Sequence, residues 1–342
     1  MQEQEDLALQ LSILNKNSLK HLKPWTDSGY SIKDSLLALR NSIKLNLDLV
    51  NLDIVLGRNE LQKHNIGFVF IWDSKYPELL KHCVDAPIVL FFVGNYSIVE
   101  QHNLLSIVGT RTMTSYGKLI LEELIPSLQS FVVVSGMAFG VDAYAHKLSI
   151  DNNIKTIAVL PDSCDSPTPK GNVNLYKKIL DTGNLIISDK PPGIASHVGL
   201  YARRNRIIAG LSMKTIVVEA GSKSGALITA NLAFDYNREV FAFPGAINSF
   251  TSKGCNYLIK NNIAQLIESS SDFLGTINKD DKFLKLTEIE RKIYYAILRE
   301  PKTLSELSRI LNLKIQILSS ICTKLEINGI LNTGNQNKYY VT

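Results

Sequence analysis

The chain has 342 residues, 45% apolar and 20% charged, enough for a full core and two or three folding units, so disorder over most of its length is excluded. Lys and Arg outnumber Asp and Glu by 37 to 32, a net charge of +5, which permits an anionic partner without demanding one. The four cysteines, Cys83, Cys164, Cys255 and Cys322, form no CxxC pair, which argues against a zinc module or a disulfide framework and suits a reducing cytoplasm. The acidic start MQEQEDLALQ lacks the basic and apolar regions of a secretory signal. No later run approaches the roughly 18 apolar residues of a membrane span, so a soluble, cytoplasmic protein without a membrane partner is expected.

In chain order, residues 1–65 carry apolar side chains at helical spacing, as in Leu7, Leu11 and Leu14 or Ile32, Leu36 and Leu39, and predict a small helical domain, SAM-like or helix-hairpin-helix-like. From Phe68 the texture changes. FVFIW, IVLFFVG, LLSIVG, FVVVSG, IKTIAVL, LIIS, KTIVVEA and EVFAFPG are short β-branched or aromatic runs, most of them separated by segments of helical length. Continuous apolar strands alternating with helices predict an α/β domain over 66–275, a Rossmann-like, doubly wound and mostly parallel sheet covered on both faces. Residues 270–283 read as a linker. Residues 283–342 then predict three helices and a hairpin, the order of a winged helix. Residues 282–342 hold ten Lys or Arg against five Asp or Glu, so the surplus of the whole chain resides there.

Ligands of open parallel sheets sit beyond the carboxyl ends of the strands, so the turns after each apolar run are the candidate sites. In SIVGTRTMTSYG, Gly109 allows close backbone approach and Arg111 can fork two hydrogen bonds onto a phosphate, although the GxGxxG spacing of a dinucleotide fold is absent. A tight turn with a solvated arginine is the simpler alternative. In VVVSGMAFGVDAYAH, Ser135, Gly136 and Gly140 form a loop whose amides can face a phosphate at a helix start. Asp142 and His146, one helical turn apart, are expected to be structural, the acid capping the helix and the imidazole bonded to it. Ahead of IIAGL stand Arg203, Arg204, Asn205 and Arg206; at least two of those arginines are expected to project toward solvent or an anion. In VVEAGSKSGALITA, Lys223 supplies a point charge, Ser224 a helix cap and Gly225 a bare backbone, but the GxxxxGK[ST] phosphate-loop pattern is not met.

These turns hold anion sites without a nucleophile, an oriented base or a metal set, so the rim suits holding a chain of phosphates better than breaking a bond. An unpaired nucleic-acid strand has that form. About four phosphate contacts are expected, with Phe139 and Tyr201 available to stack bases.

Six ordered segments, YPELLKHCVDAPIVLFFVGN, SIVGTRTMTSYG, SGMAFGVDAYAH, RNRIIAGLS, VVEAGSKSGALITA and FPGAINSFTSKGCNYLI, resemble the signatures of the DNA-processing protein A (DprA, or Smf) family over about residues 76–267. The resemblance implies a Rossmann-like domain that binds single-stranded DNA without sequence preference, forms a homodimer, and protects incoming DNA and loads the RecA recombinase onto it in natural transformation. It implies a non-enzymatic role with no cofactor and no metal. Carried over by motif, the DNA-binding loops would include Arg111, Ser135, Gly136, Arg204, Arg206, Lys223, Ser224 and Gly225. Many members carry Arg where this chain has Phe139, which shifts that position from phosphate contact toward stacking.

Two other readings compete. Phosphoribohydrolases of the lysine-decarboxylase-like kind use a similar sheet, but their PGGxGTxxE glutamate has no counterpart in EAGSKSGALITA. A regulator reading duplex DNA through the winged helix is opposed by the third helix, KIQILSSICTKLEING, which offers few side chains for base edges. That tail is expected to make protein contacts or to bind duplex weakly.

Overall fold

The computed structural model describes residues 5, 7–9, 12, 18–43, 61, 65–101, 103–192, 199–274, 286–298, 300–334 and 337–341. They fall into two units, Met1–Glu268 and Ser269–Thr342.

The first unit is built on a nine-stranded sheet of order β1-β2-β6-β5-β4-β3-β7-β8-β9. Its parallel part comprises β3 (Leu104–Val108), β4 (Val132–Ser135), β5 (Thr156–Val159), β6 (Leu185–Ser188), β7 (Lys214–Val217), β8 (Glu239–Ala242) and β9 (Gln265–Leu266). β3 to β7 are buried along their whole length, which is why they read as unbroken apolar runs rather than as an alternation. The first two apolar runs form an antiparallel pair, β1 (Gly67–Phe70) and β2 (Val89–Gly94), and β2 joins β6 antiparallel with Phe91 opposite Ser188.

Helices α2 (Ser115–Leu124), α3 (Val141–Asp151), α4 (Val173–Asp181), α5 (Gly199–Leu211), α6 (Gly225–Asp235) and α7 (Lys253–Lys260) connect the parallel strands. They follow α1 (Ile32–Ile43), which lies in the N-terminal segment. Leu22 of that segment and Leu36 of α1 are fully buried in the same apolar cluster as strand residues Phe70, Leu90 and Phe91. Leu19 N donates to Ala86 O at 2.9 Å and the Ser18 hydroxyl to Asp85 O at 3.0 Å, so the N-terminal segment is tied to the chain before β2. Residues 44–60, most of the remaining helical expectation, lie outside the described residues.

The strand order turns back between β3 and β7: β4 lies on one side of β3 and β7 on the other. That reversal makes the carboxyl ends of β3 and β7 the switch point, the place at whose crevice open α/β sheets bind their ligands.

The second unit contains α8 (Glu288–Leu298), α9 (Leu304–Leu311), α10 (Ile315–Ile327) and an antiparallel pair, β10 (Leu331–Thr333) and β11 (Tyr339–Val341). A capping box opens α9: the Thr303 hydroxyl accepts from Glu306 N, and the Glu306 carboxylate accepts from Thr303 N at 2.7 Å. Ile293, Leu307, Leu318, Cys322, Leu325 and Leu331 form its own fully buried core. Of the expected linker, Ser271–Leu274 is one helical turn and 275–285 lie outside the described residues. Among the described residues no helix is long and apolar enough to cross a membrane.

Candidate nucleic-acid interface

The loops after β3, β4, β5 and β7 meet at one edge of the sheet, and buried polar bonds lock them together. Thr110 N donates to Glu219 O at 2.8 Å, joining the two loops that flank the crevice. The Glu219 side chain, 2% exposed, accepts from Thr114 N at 2.9 Å, the Thr114 hydroxyl at 2.6 Å and the Thr251 hydroxyl at 3.0 Å. One carboxylate thus pins the Arg111 loop, the end of β7 and the segment before α7. In the sequence, an acid that closes the apolar run VVEA beside glycines is the signal of this role.

On this frame Arg111 is exposed, with its guanidinium carbon 5.1 Å from the centre of the Tyr201 ring. Tyr201 thereby supports the arginine by a cation–π contact rather than presenting a bare face to a base. Gly109 packs against α3, where an added Cβ would come within 2.5 Å of Val141. Lys223 is exposed on the β7–α6 loop. Ser224 caps α6, its hydroxyl oxygen accepting from Ala226 N at 3.3 Å, and the Gly225 position opens onto empty space. Phe139, 48% exposed, stands over Gly171, where an added Cβ would lie 2.9 Å from the ring. Lys170, exposed beside it, was missed in the sequence because SPTPKGN carries no charge cluster.

Other expected contacts lie in the interior. The Ser135 hydroxyl is fully buried and donates to Ile107 O at 2.6 Å. Gly136 N donates to Asp142 Oδ2 at 3.2 Å, and the flat guanidinium of Arg204 fills the space a side chain at Gly136 would need. The amides of this loop thus serve the fold rather than an open phosphate site. The expected Asp142–His146 bond is replaced by separate partners: Asp142 takes the Gly136 amide, while His146 Nδ1 lies 2.7 Å from the Thr156 hydroxyl oxygen. That hydroxyl donates to Val133 O at 2.8 Å, so Nδ1 carries the proton of a neutral imidazole. Burial lowers the His146 pKa to about 3. Burial also raises Asp142 to about 6, against the opposing pull of Arg204 and three backbone amides.

The arginine cluster is the main correction. It lies inside α5 rather than ahead of it, and Arg204 and Arg206 are each only 4% exposed. Arg204 donates to Gly136 O at 2.6 Å, to Val159 O, and through Nε to Asn205 Oδ1 at 3.1 Å. Burial lowers its pKa to about 10, with Asp142 pulling the other way. Arg206 donates to Asp85 O and to Asp189 Oδ2 at 2.5 Å, and Arg203, half-buried, reaches the same oxygen at 3.1 Å. Burial alone would raise the Asp189 carboxyl, but Arg206, Arg203 and Lys190 hold it below the ordinary aspartate range. All three arginines therefore bind the molecule's own acceptors, Arg204 and Arg206 in the interior and Arg203 half-buried. Among the described residues, the outward cations on the loops after β3, β5 and β7 are Arg111, Lys170 and Lys223. Among the described residues there is no group of three or more His, Cys, Asp or Glu that could hold a metal ion.

The fold and this edge define an α/β protein of the Rossmann-like class whose crevice presents cations, while the buried carboxylate of Glu219 fastens the loops. Residues 67–278, more than half of the chain, match the family of DNA recombination-mediator protein A, and the chain belongs to that family. It is 38% identical over 206 residues to the DNA processing protein DprA of Streptococcus pneumoniae, a match covering 60% of this chain and 72% of that protein. It is 35% identical over 254 residues to the protein Smf of Synechocystis, covering 73% and 61%. The X-ray structure of S. pneumoniae DprA matches with a TM-score of 0.61 at 34% identity, over 72% of this chain and 83% of that one. DNA processing protein A from Helicobacter pylori, whose structure concerns its single-stranded DNA binding mode, matches with a TM-score of 0.55 at 30% identity, over 63% and 96%.

Proposed function

We propose that this protein binds single-stranded DNA without sequence preference through the loop edge at the β3/β7 switch point. The observation that carries the reading is the pair of exposed cations, Arg111 and Lys223, on the two loops that flank the crevice and are locked to each other through Glu219. Lys170 adds a third charge and Phe139 a face on which a base can stack. The relationship to a Helicobacter pylori protein studied for single-stranded DNA binding supports the same reading. The role is binding rather than catalysis: Ser135, Asp142 and His146, the groups closest to a catalytic set, are engaged in internal bonds.

Membership in a recombination-mediator family supports a place in natural transformation, in which the protein protects the incoming strand and passes it to RecA in the cytoplasm. A homodimer through the Rossmann-like domain is part of the proposal. Ile247, Phe250, Tyr257 and Leu266 are 91%, 66%, 54% and 48% exposed in the segment running through α7 to β9, the last strand of the sheet among the described residues. Residues 1–65 are proposed as a helical domain and 283–342 as a winged helix. The exposed start of α10, Lys314, Ile315, Gln316 and Ile317, suits protein contacts or weak duplex binding better than base readout.

The test is fluorescence anisotropy with single-stranded and duplex oligonucleotides of equal length and several sequences. Tighter binding of every single strand than of its duplex is expected. Equal affinity for duplex, or hydrolysis of a nucleoside monophosphate by the purified protein, would contradict the proposal.

A further inference from the structure

Between α3 and α4 lies a groove of about 430 Å³ that opens at the same loop edge. Its lining is apolar where Met113, Ala143 and Leu175 contribute, and Tyr144 adds an aromatic ring. The Tyr144 hydroxyl donates to Glu122 Oε1 at 2.6 Å, which fixes that ring. Lys147 and Lys178, both exposed, complete the lining about two helical turns from the mouth, and the Lys147 ammonium lies 6.0 Å from the centre of the Tyr144 ring.

The mouth belongs to the candidate interface. Met113 is two residues beyond Arg111, and Gly140 follows Phe139 directly. Gly140 has a positive φ of 76°, and a Cβ there would run into Thr110 O; this lets the Phe139 loop close against the Arg111 loop and shape the entrance. The Phe139 ring stands over Gly171, another lining residue. A volume of this size accommodates a nucleobase with its sugar. An apolar pocket with one aromatic wall and cations at its end is the composition that stacks a base and receives the next phosphate. The Lys178 ammonium pairs with Asp151 at 2.7 Å, but both side chains are solvent-exposed, so a phosphate can take over that contact.

We infer that the strand, on leaving Arg111, turns over Phe139 and inserts one nucleobase into this groove, with the following phosphate at Lys147 and Lys178. The inference rests on the single-stranded DNA reading and extends the path from the sheet edge down between two helices. The groove then sets a minimum strand length: a strand too short to leave Arg111 cannot use it.

The experiment compares wild-type protein with Tyr144→Leu and, as an independent groove-filling variant, Leu175→Trp. It measures affinity for oligothymidylates of graded length and scans 2-aminopurine along the longest. Strands of about four nucleotides should bind all three proteins alike. Longer strands should bind both variants about five-fold or more weakly, the loss of one stacked base. One scanned position should be quenched in wild type and emit in Tyr144→Leu. Equal affinities at every length, or equal losses for short and long strands, would overturn the groove. Binding of free thymidine monophosphate that Tyr144→Leu abolishes, with no length dependence for strands, would assign the groove to a free nucleotide and overturn it too. Failure of wild type to bind strands of any length would remove the interface reading and the groove with it, an outcome distinct from tight but length-independent binding.

Discussion

Arg204 and Lys223 carry the same formal charge and do opposite jobs. Removing the Arg204 side chain leaves Gly136 O and Val159 O without their donor and takes away the buried charge opposite Asp142, a loss of the kind that costs about 3–5 kcal/mol. Arg204→Ala should therefore lower the midpoint of chemical denaturation markedly, with weaker DNA binding following from a collapsed loop. An unchanged midpoint with lost DNA affinity would return Arg204 to the surface role its sequence suggests. The sequence could not separate these roles, because three arginines in four residues reveal charge but not acceptors. Gly136, Val159, Asp85 and Asp189 all come from elsewhere in the chain, brought in by the sheet.

His146 offers a second test at this scale. Folding lowers its pKa from 6.5 to about 3, so between those values the unfolded chain holds a proton that the native state rejects, and this group's stabilisation is lost as pH falls below 6.5. Asp142 acts in the opposite sense. Its pKa rises from 3.8 to about 6, the native carboxyl keeps a proton the unfolded chain has released, and its contribution to stability falls as pH rises through that window. The two effects partly cancel in wild type. Relative to wild type, His146→Gln should gain about 2 kcal/mol in stability between pH 7 and pH 5, measured by urea denaturation at each pH. Parallel curves for the two proteins would contradict a neutral buried imidazole.

At the scale of elements, eight strands lie where the apolar runs place them, because buried parallel strands carry their environment in their own composition. β9 escaped notice: it is two residues long and exposed, and it exists through its pairing with β8. The antiparallel attachment of β1 and β2 is equally silent in sequence, since direction depends on connection rather than on composition. The glycine-rich turns were legible as loops and as the ligand edge, and Arg111, Lys223 and Phe139 do reach the surface there. Which of their amides and hydroxyls face outward was not legible, because that depends on which groups the neighbouring loops bind first. Glu219 makes the point testable. Glu219→Ala strands the Thr114 amide and the Thr114 and Thr251 hydroxyls, at about 1–3 kcal/mol for each group left unsatisfied. It should lower the thermal midpoint and, at temperatures where the protein is still folded, weaken single-strand binding by loosening the Arg111 loop. Wild-type affinity in a folded Glu219→Ala protein would show that the loops need no clamp.

For the whole molecule, the composition permitted an anionic partner, and the fold decides where that partner can lie. Charge was a poor guide by itself. The surplus of basic residues sits in residues 282–342, whereas the candidate strand site lies in the first unit, where Arg204 and Arg206 contribute nothing to the surface. The exposed apolar set around α7 and β9 is the face proposed above for the homodimer. Tyr257→Glu combined with Leu266→Glu places charge on that exposed face and should convert a dimer to a monomer in analytical ultracentrifugation while leaving the thermal midpoint within a few degrees. A monomeric wild type, or a dimer indifferent to both charges, would move the interface elsewhere.

If exposed cations at the switch point hold an unpaired strand by its phosphates, the salt dependence of oligothymidylate binding must show it. For a strand of about four nucleotides, too short to reach the groove between α3 and α4, the three cations Arg111, Lys170 and Lys223 each neutralise a phosphate worth roughly −0.7, so log affinity against log salt should have a slope of about −2. Lys223→Ala should reduce the magnitude of that slope by about 0.7 and weaken every sequence alike, with stability changed by less than about 0.5 kcal/mol. A flat salt response in wild type, or a slope that Lys223→Ala leaves unchanged, would contradict that hold.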